Sequence, residues 1–137
     1  MVEEKKFHIK AVIIGLLVDT IGSFIAGFFI SFIAGILFMS QGVTQDQITQ
    51  QLLHSKAFMN VLVFTGFSLT FLGGYVTAYI AGADELKHTA VMGILSLMIS
   101  LLFTVGQTTE QVWYLISLFV IPFALLGGYL RKITKKT

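Results

Sequence analysis

The chain lacks several kinds of residue, and each absence excludes a class of protein. It has no cysteine, which excludes a disulfide framework and a thiolate metal site. Only 12% of its 137 residues are charged, whereas 55% are hydrophobic. Soluble domains carry about twice that share of charge. The polar segments between the apolar runs are too short for a soluble catalytic domain, so the composition indicates an integral membrane protein.

Motifs for catalysis and for ligand binding are also missing. There is no Ser/His/Asp set, no phosphate-binding loop and no pair of intramembrane carboxylates. His8, His54 and His88 share no i, i+3 or i, i+4 spacing, so no helix presents two metal ligands. We interpret them as solvated rings at the membrane boundary. The basic residues are few and juxtamembrane, which argues against nucleic-acid binding. We therefore expect no enzyme activity, no cofactor and no metal.

Four segments are apolar and long enough to cross a bilayer as helices, which takes about 20 residues each. They are Ile9–Met39, Phe58–Ala81, Thr89–Val105 and Val112–Leu130. The sequence therefore predicts an all-α fold, a single transmembrane four-helix bundle that comprises residues 1–137.

The basic residues are divided unequally between the two sides of this four-span topology. Only Lys56 falls on one side. The other side holds Lys5, Lys6, Lys10, Lys87, Arg131, Lys132, Lys135 and Lys136. Because Lys and Arg accumulate on the cytoplasmic side of membrane proteins, we predict that both termini are cytoplasmic.

Asp19 is the one acidic residue in the first apolar run. A carboxylate at the centre of a bilayer costs roughly 2.5–3.5 kcal/mol on insertion scales, so its presence there needs a reason. As one helix, Ile9–Met39 would be about 46 Å long, against a hydrocarbon core of about 30 Å. Asp19 therefore lies either at the inner boundary, where it stays ionised, or well inside a tilted helix. In the second case no basic residue of another span can pair with it, and desolvation favours its neutral form.

Small residues recur every four positions in the first two spans. Such rows let helix backbones approach closely, so we predict that these two helices pack tightly. The predicted packing residues are Gly15, Gly27, Ser31, Gly35, Gly66, Gly74 and Ala78. Asp19, Thr20, Ser23 and Thr70 are polar members of the same region, and a second interpretation makes them a polar path for an ion or a proton.

Glycine and proline suggest breaks in two spans. The tetrapeptide Leu-Gly-Gly-Tyr closes both the second and the fourth span, a weak internal repeat. Paired interruptions of this kind are found at transporter sites. The predicted helix breaks are Gly73, Pro122, Gly127 and Gly128. Pro122 has no amide donor and clashes with the carbonyl of Leu118, so we expect a kink there.

The polar loop after the first span contains a helix signal. Residues 44–47 read Thr-Gln-Asp-Gln, which fits a capping box. Ile48, Leu52 and Leu53 then form an apolar stripe. This pattern is typical of a short amphipathic helix on the membrane surface, although a plain connector is an alternative.

Residues 72–93 resemble a group of small bacterial four-span inner-membrane proteins of unassigned function. The resemblance lies in a Gly-Gly-aromatic end to the second span, in small residues after it, and in a histidine that opens the third span. These are Gly73, Gly74, Tyr75, Ala78, Ala81, His88 and Gly93. The resemblance implies a bacterial cytoplasmic membrane and four spans, and it implies no mechanism.

Two functions remain open at this stage. The first is a structural or accessory subunit that acts through helix contacts, as a homo-oligomer or within a larger membrane complex. It follows from the rows of small residues and from the missing motifs. The second is a transporter or channel for an ion or small solute, in which Asp19 binds a cation or proton. We favour the first slightly, and the surroundings of Asp19 decide between them.

Overall fold

The structure is a computed structural model that describes residues 7–105 and 111–135. Its helices are α1 (Ile9–Ser40), α2 (Gln45–His54), α3 (Lys56–Ala81), α4 (Glu85–Thr104), α5 (Gln111–Leu118) and α6 (Val120–Thr134). Within the described residues, four helical stretches are long and apolar enough to span a membrane: α1, α3, α4, and α5 together with α6. The predicted all-α fold with four candidate spans is confirmed. Lys5, Lys6 and Lys136 lie outside the described residues.

Two helices begin before their predicted starts, and a polar residue precedes the first turn of each. α3 begins at Lys56, where the Ser55 hydroxyl accepts a 3.3 Å hydrogen bond from the Phe58 amide. α4 begins at Glu85, four residues before the predicted start. The preceding Asp84 is left-handed, with φ 48°, and its carbonyl accepts from the Lys87 amide at 3.0 Å. Hydropathy finds the apolar part of each helix and misses these polar first turns.

The fourth span is interrupted at Phe119, between α5 and α6. Pro122 lacks the amide that would donate to the carbonyl of Leu118. The Phe119 amide instead donates to the Ile116 carbonyl at 3.0 Å, in the tighter i to i−3 pattern. The break expected at Pro122 therefore lies at Phe119, three residues before it in the sequence.

The other three predicted helix breaks are wrong. Gly73 lies inside the continuous helix α3, and Gly127 and Gly128 lie inside α6. A spanning helix keeps its backbone hydrogen bonds because lipid offers no substitute partners. These glycines serve instead as points where neighbouring helices come close.

The four spans form a bundle in which α3 and α4 touch each other and both touch α1 and α6. Within the described part of the chain, α1 and α6 make no contact with each other. Lys10, Lys87, Arg131 and Lys135 all lie at one end of the bundle, which we call the basic end. The opposite end carries α2, and we call it the α2 end.

The helices pack most closely in the half of the bundle nearest the basic end. A Cβ atom added to Gly74 would collide with the backbone of Ala124, and one added to Gly127 with the carbonyl of Phe71. Gly15 faces the Thr77 side chain in the same way. Of the predicted packing residues, Gly15, Gly74 and Ala78 are buried in this half. The α3–α6 contact was not predicted.

The predicted close packing fails in the half nearest the α2 end. Among the described residues, a Cβ added to Gly27 or Gly66 would meet no atom within 4 Å, and one at Gly35 would meet only Ile48, at 3.9 Å. Ser31, on the same row of α1, is only half-buried. The α1–α3 contact loosens after Gly22, where the Leu69 side chain stands between the helices. Beyond Gly22, the gap between α1 and α3 forms part of a pocket.

α2 confirms the predicted short helix at this end. Thr44 is its N-cap, but the Thr44 side chain makes no capping hydrogen bond, so the capping box is not formed. Ile48 and Leu52 are half-buried, whereas Leu53 is exposed. The apolar stripe therefore turns only its first and middle residues towards the bundle.

Candidate functional site

Asp19 is buried where three helices meet, with 5% of its surface exposed. The Thr70 hydroxyl on α3 donates a 2.8 Å hydrogen bond to Oδ1. The Ser96 hydroxyl on α4 donates to Oδ2. Each carboxyl oxygen thus has one hydroxyl partner, and each partner comes from a different span. Two neutral donors orient the carboxyl group without supplying a positive charge.

The two partners fix the depth of Asp19 in the bundle. Thr70 lies eleven residues before Ala81, which ends α3, and Ser96 lies eleven residues after Glu85, which begins α4. At 1.5 Å per residue, both partners are about 16 Å from the basic end. This is near the middle of a hydrocarbon layer of about 30 Å. Of the two positions left open by the sequence, the structure therefore favours the one well inside the bundle.

No basic side chain compensates Asp19 in the described part of the chain. The ion pairs found there join Lys87 to Asp84 at 3.9 Å and Lys135 to Glu85 at 3.4 Å, both at the basic end. Groups of three or more His, Asp or Glu residues that could hold a metal are also absent from the described residues. An ionised Asp19 would be an uncompensated charge in a medium that penalises it heavily.

A pocket of about 320 Å³ extends from Asp19 towards the α2 end. All four spans contribute to its wall. The polar lining residues are Asp19, Thr20, Ser23, Thr70, Ser96, Ser100 and Ser117, and the others are Phe24, Val63, Gly66, Phe67, Ile99, Phe103, Ile116 and Val120. Its volume is at the lower end of the range for small-molecule sites.

The pocket is closed on the side of Asp19 that faces the basic end. A Cβ added to Gly73 would lie 2.6 Å from Cε of Met92 and 2.7 Å from the carbonyl oxygen of Gly15. Met92 itself is completely buried, in a core cluster with Val12 and Ala124. Asp19 therefore sits at the inner limit of a space that reaches only one end of the bundle.

All four residues of the predicted polar path line this pocket. Asp19 and Thr70 are in direct contact, and Thr20 and Ser23 follow Asp19 along α1. The predicted path does not include Ser96, Ser100 or Ser117, which also line the pocket. Ser96 and Ser100 are four residues apart in α4, a spacing of small residues like that of the first two spans. The Ser100 hydroxyl donates to the Ser117 hydroxyl at 3.3 Å, and Ser117 donates to the Trp113 carbonyl at 2.9 Å. The four-residue spacing of Ser96 and Ser100 is a pattern that the sequence offers in α4, whereas no pattern in α5 indicates Ser117.

The interpretation of His88 as a solvated ring is wrong. It is 3% exposed, and the Phe7 ring stacks on it with centroids 4.5 Å apart. Its Nε2 accepts a 2.9 Å hydrogen bond from the His8 amide, and its Nδ1 lies 3.0 Å from the Asp84 carbonyl. A ring that donates from Nδ1 and accepts at Nε2 satisfies both contacts. His88 therefore ties the start of α1 to the α3–α4 turn, which the sequence could not indicate because the contact spans 80 residues.

Comparison with known proteins gives no independent guide to this site. A scan against protein-family models found no match, and searches of curated proteins and of solved structures found none. Function must therefore be inferred from Asp19 and the groups around it.

Proposed function

We propose that this chain is a small transporter of a bacterial cytoplasmic membrane that binds a cation or proton at Asp19 and carries it across. The proposal takes the second of the two functions left open by the sequence. One observation carries it: a buried carboxyl group without a basic partner among the described residues stands at the closed end of a pocket lined by hydroxyl and apolar side chains. Ionisable residues inside a membrane often mark substrate or ion pathways and proton relays.

The charge of Asp19 explains why it would take up a cation. An ionised carboxylate at mid-membrane costs roughly 2.5–3.5 kcal/mol on insertion scales, and hydroxyl donors offset only part of that cost. The described lining of the pocket supplies no positive charge. A proton or a cation that enters from the α2 end would therefore neutralise the site. Once it is paired with Asp19, the bound proton or cation can cross the bilayer core without a net charge.

Release at the basic end requires the closed half of the bundle to rearrange. The layer formed by Gly15, Gly73 and Met92 separates Asp19 from that end. Glycines have no side chains that interdigitate with the facing helix, so two helices that meet at glycines can slide against each other. We place the basic end in the cytoplasm because it carries most of the Lys and Arg residues. Uptake would then start from the outside.

The test is chemical modification combined with a flux assay. Dicyclohexylcarbodiimide reacts with protonated carboxyls in apolar surroundings, so we expect mass spectrometry to find the adduct on Asp19 of the wild type. Asp19→Asn should carry no adduct at this position. Asp46→Asn, which removes an exposed carboxylate from α2, is the matched control and should be labelled like the wild type.

The flux assay uses proteoliposomes that contain a pH-sensitive dye and carry an imposed membrane potential. We expect proton movement into vesicles that contain wild type or Asp46→Asn, and background movement with Asp19→Asn. An unmodified Asp19, together with equal fluxes for wild type and Asp19→Asn, would contradict the proposal.

A second candidate function is assembly through α1. Its support is the row formed by Gly27, Ser31 and Gly35, where a Cβ added to Gly27 would meet no described atom within 4 Å and one added to Gly35 would meet only Ile48 of α2. A row of small residues on the outside of a bundle suits close contact with another helix. This role is compatible with transport, since many transporters are oligomers, and it retains the predicted homo-oligomer or complex subunit.

A further inference from the structure

We infer that the cation bound at Asp19 is a monovalent organic ammonium ion with an aromatic or alkyl body, not an inorganic ion. This inference rests on the proposed function and names the class of its substrate. It depends on three properties of the pocket: its volume, the kinds of side chain in its wall, and the position of the single carboxyl group.

The volume exceeds what a bare ion needs. A water molecule takes about 30 Å³ of liquid volume, so a pocket of about 320 Å³ would hold on the order of ten. A proton relay needs a narrow chain of polar groups, and a metal ion needs a compact shell of about six oxygen ligands. Around Asp19 the described side chains offer two carboxyl oxygens and the hydroxyls of Thr70 and Ser96. The remaining space is available for a larger molecule.

The wall beyond Asp19 is suited to an apolar body. Phe24, Phe67 and Phe103 line it, together with aliphatic side chains of α3, α4 and α6. Aromatic and aliphatic walls of this kind suit the apolar body of a ligand. An ion whose ammonium group pairs with Asp19 would place its apolar body among these rings, towards the α2 end. One carboxylate compensates one positive charge, which favours a monovalent ion.

Two of these rings also mark a route from the bilayer. Phe24 on α1 meets Phe103 on α4 edge to face, with centroids 5.4 Å apart. Both rings line the pocket and are more than half exposed, at 58% and 52%. They therefore stand between the pocket and the surrounding lipid. An amphipathic cation that concentrates in the bilayer would reach Asp19 by displacing this pair.

Proton exchange follows from the same geometry. Asp19 is the only titratable group in the described lining; α3, α4, α5 and α6 present hydroxyl and apolar side chains to it. When the ammonium ion binds, the Asp19 carboxyl releases its proton to the solvent and pairs with the ion as a carboxylate. Charge balances, with one cation bound for each proton released. The ion and the proton therefore compete for the same carboxyl group.

The experiment measures binding of benzyltrimethylammonium to the purified chain in detergent by calorimetry, and protection of Asp19 from dicyclohexylcarbodiimide. We expect binding to the wild type with release of about one proton per ion. The uncharged isostere 2,2-dimethylpropylbenzene should not protect. Asp19→Asn should abolish binding. Phe103→Leu and Phe24→Leu should each weaken it roughly twofold to tenfold, the range for a lost aromatic contact with the benzyl body.

Phe29→Leu is the matched control, because Phe29 is exposed on α1 and does not line the pocket. It should bind like the wild type, and circular dichroism should show that all variants stay helical. Protection by sodium or potassium at least equal to that by benzyltrimethylammonium would overturn the inference. So would labelling of Asp19 without protection by benzyltrimethylammonium, an outcome that leaves the proposed function standing. Absence of both labelling and Asp19-dependent flux would instead reject the proposed function and the inference with it.

Discussion

The Thr70 hydroxyl donates a 2.8 Å hydrogen bond to Oδ1 of Asp19 and so joins α3 to α1 at the middle of the bundle. The two residues are 51 positions apart. Both are nearly inaccessible from outside, and neither has a charged partner in the described residues. This contact holds the carboxyl group at the closed end of the pocket, where its side-chain hydrogen-bond partners among the described residues are the hydroxyls of Thr70 and Ser96.

Removing the Thr70 hydroxyl should therefore destabilise the fold and change the reactivity of Asp19. Thr70→Val keeps the shape of the side chain but leaves one oxygen of a buried carboxyl without its donor. Such a loss costs about 1–3 kcal/mol. We expect a lower melting temperature in detergent and faster reaction of Asp19 with carbodiimide, because the loss of a hydroxyl donor disfavours the carboxylate more than the protonated carboxyl group. Thr70→Ser should restore both, and Ser68→Ala, whose hydroxyl bonds only its own helix at Phe64, should change neither. An unaltered Thr70→Val protein would show that the hydrogen bond is not required.

A methyl group at Gly74 should destabilise the bundle because it would meet backbone. Gly74 lies against the backbone of Ala124 on α6, and neither helix can yield without moving as a unit. Overpacking of this kind costs typically about 1–3 kcal/mol. We expect Gly74→Ala to unfold at lower denaturant concentration than the wild type. Gly66→Ala, on the same helix, has open space around it and should unfold like the wild type or slightly later. Equal loss of stability in both variants would mean that helix propensity, and not the close contact, decides.

The spans were predictable because hydropathy and length are properties of the sequence alone. Their packing was only partly predictable. The row of small residues in α1 is uniform, yet Gly15 packs against α3 and a Cβ added to Gly27 would meet no atom within 4 Å. Positions four apart are rotated by about 40° around a helix of 3.6 residues per turn, so the row turns gradually away from the face that α3 contacts. A periodic pattern identifies a face that permits close contact. It does not state how far along the helix the contact continues.

The candidate site was also only partly predictable from the sequence. Asp19 was singled out because a carboxylate in an apolar run is costly, and Thr70 because it lies on the facing row. The hydroxyl of Ser96 could not be assigned to Asp19, since contact across 77 residues depends on the rotation of α4. His88 was misjudged for a similar reason. Its ring is covered by Phe7, which lies just before the first span and carries no signal of its own.

The distribution of basic residues predicts the orientation of the chain in the membrane. The chain has no native cysteine, so single cysteines can be introduced without interference. With both termini cytoplasmic, a cysteine at Thr137 should react with an impermeant maleimide only after cells are opened. A cysteine at Gln45, the first residue of α2, should react in intact cells. Labelling of both positions from the same side would contradict the four-span topology with both termini inside.

The unused row of small residues on α1 predicts a contact between chains. Leucine at Gly27 would fill the space that a second helix needs, so Gly27→Leu should reduce the oligomeric mass in detergent and lower the melting temperature. Phe29→Leu, two residues along on the same helix, should leave both unchanged. The mass can be measured by light scattering after gel filtration. A wild type that is monomeric in nanodiscs and in mild detergent would remove the basis for this contact.

The contact between His88 and the start of α1 should help to keep the basic end of the bundle closed. The imidazole accepts from the His8 amide and is covered by the Phe7 ring, while its other nitrogen bonds the α3–α4 turn. His88→Ala removes both bonds and leaves a cavity beneath Phe7, so the first turn of α1 should open more often. We expect faster hydrogen–deuterium exchange at residues 8–12, by about tenfold if one net hydrogen bond of roughly 1.4 kcal/mol is lost. His54→Ala is the matched control, because the His54 ring is exposed and bonds only the Gln50 carbonyl of its own helix. Exchange that is unchanged in His88→Ala would show that the glycine contacts alone hold α1 in place at the basic end.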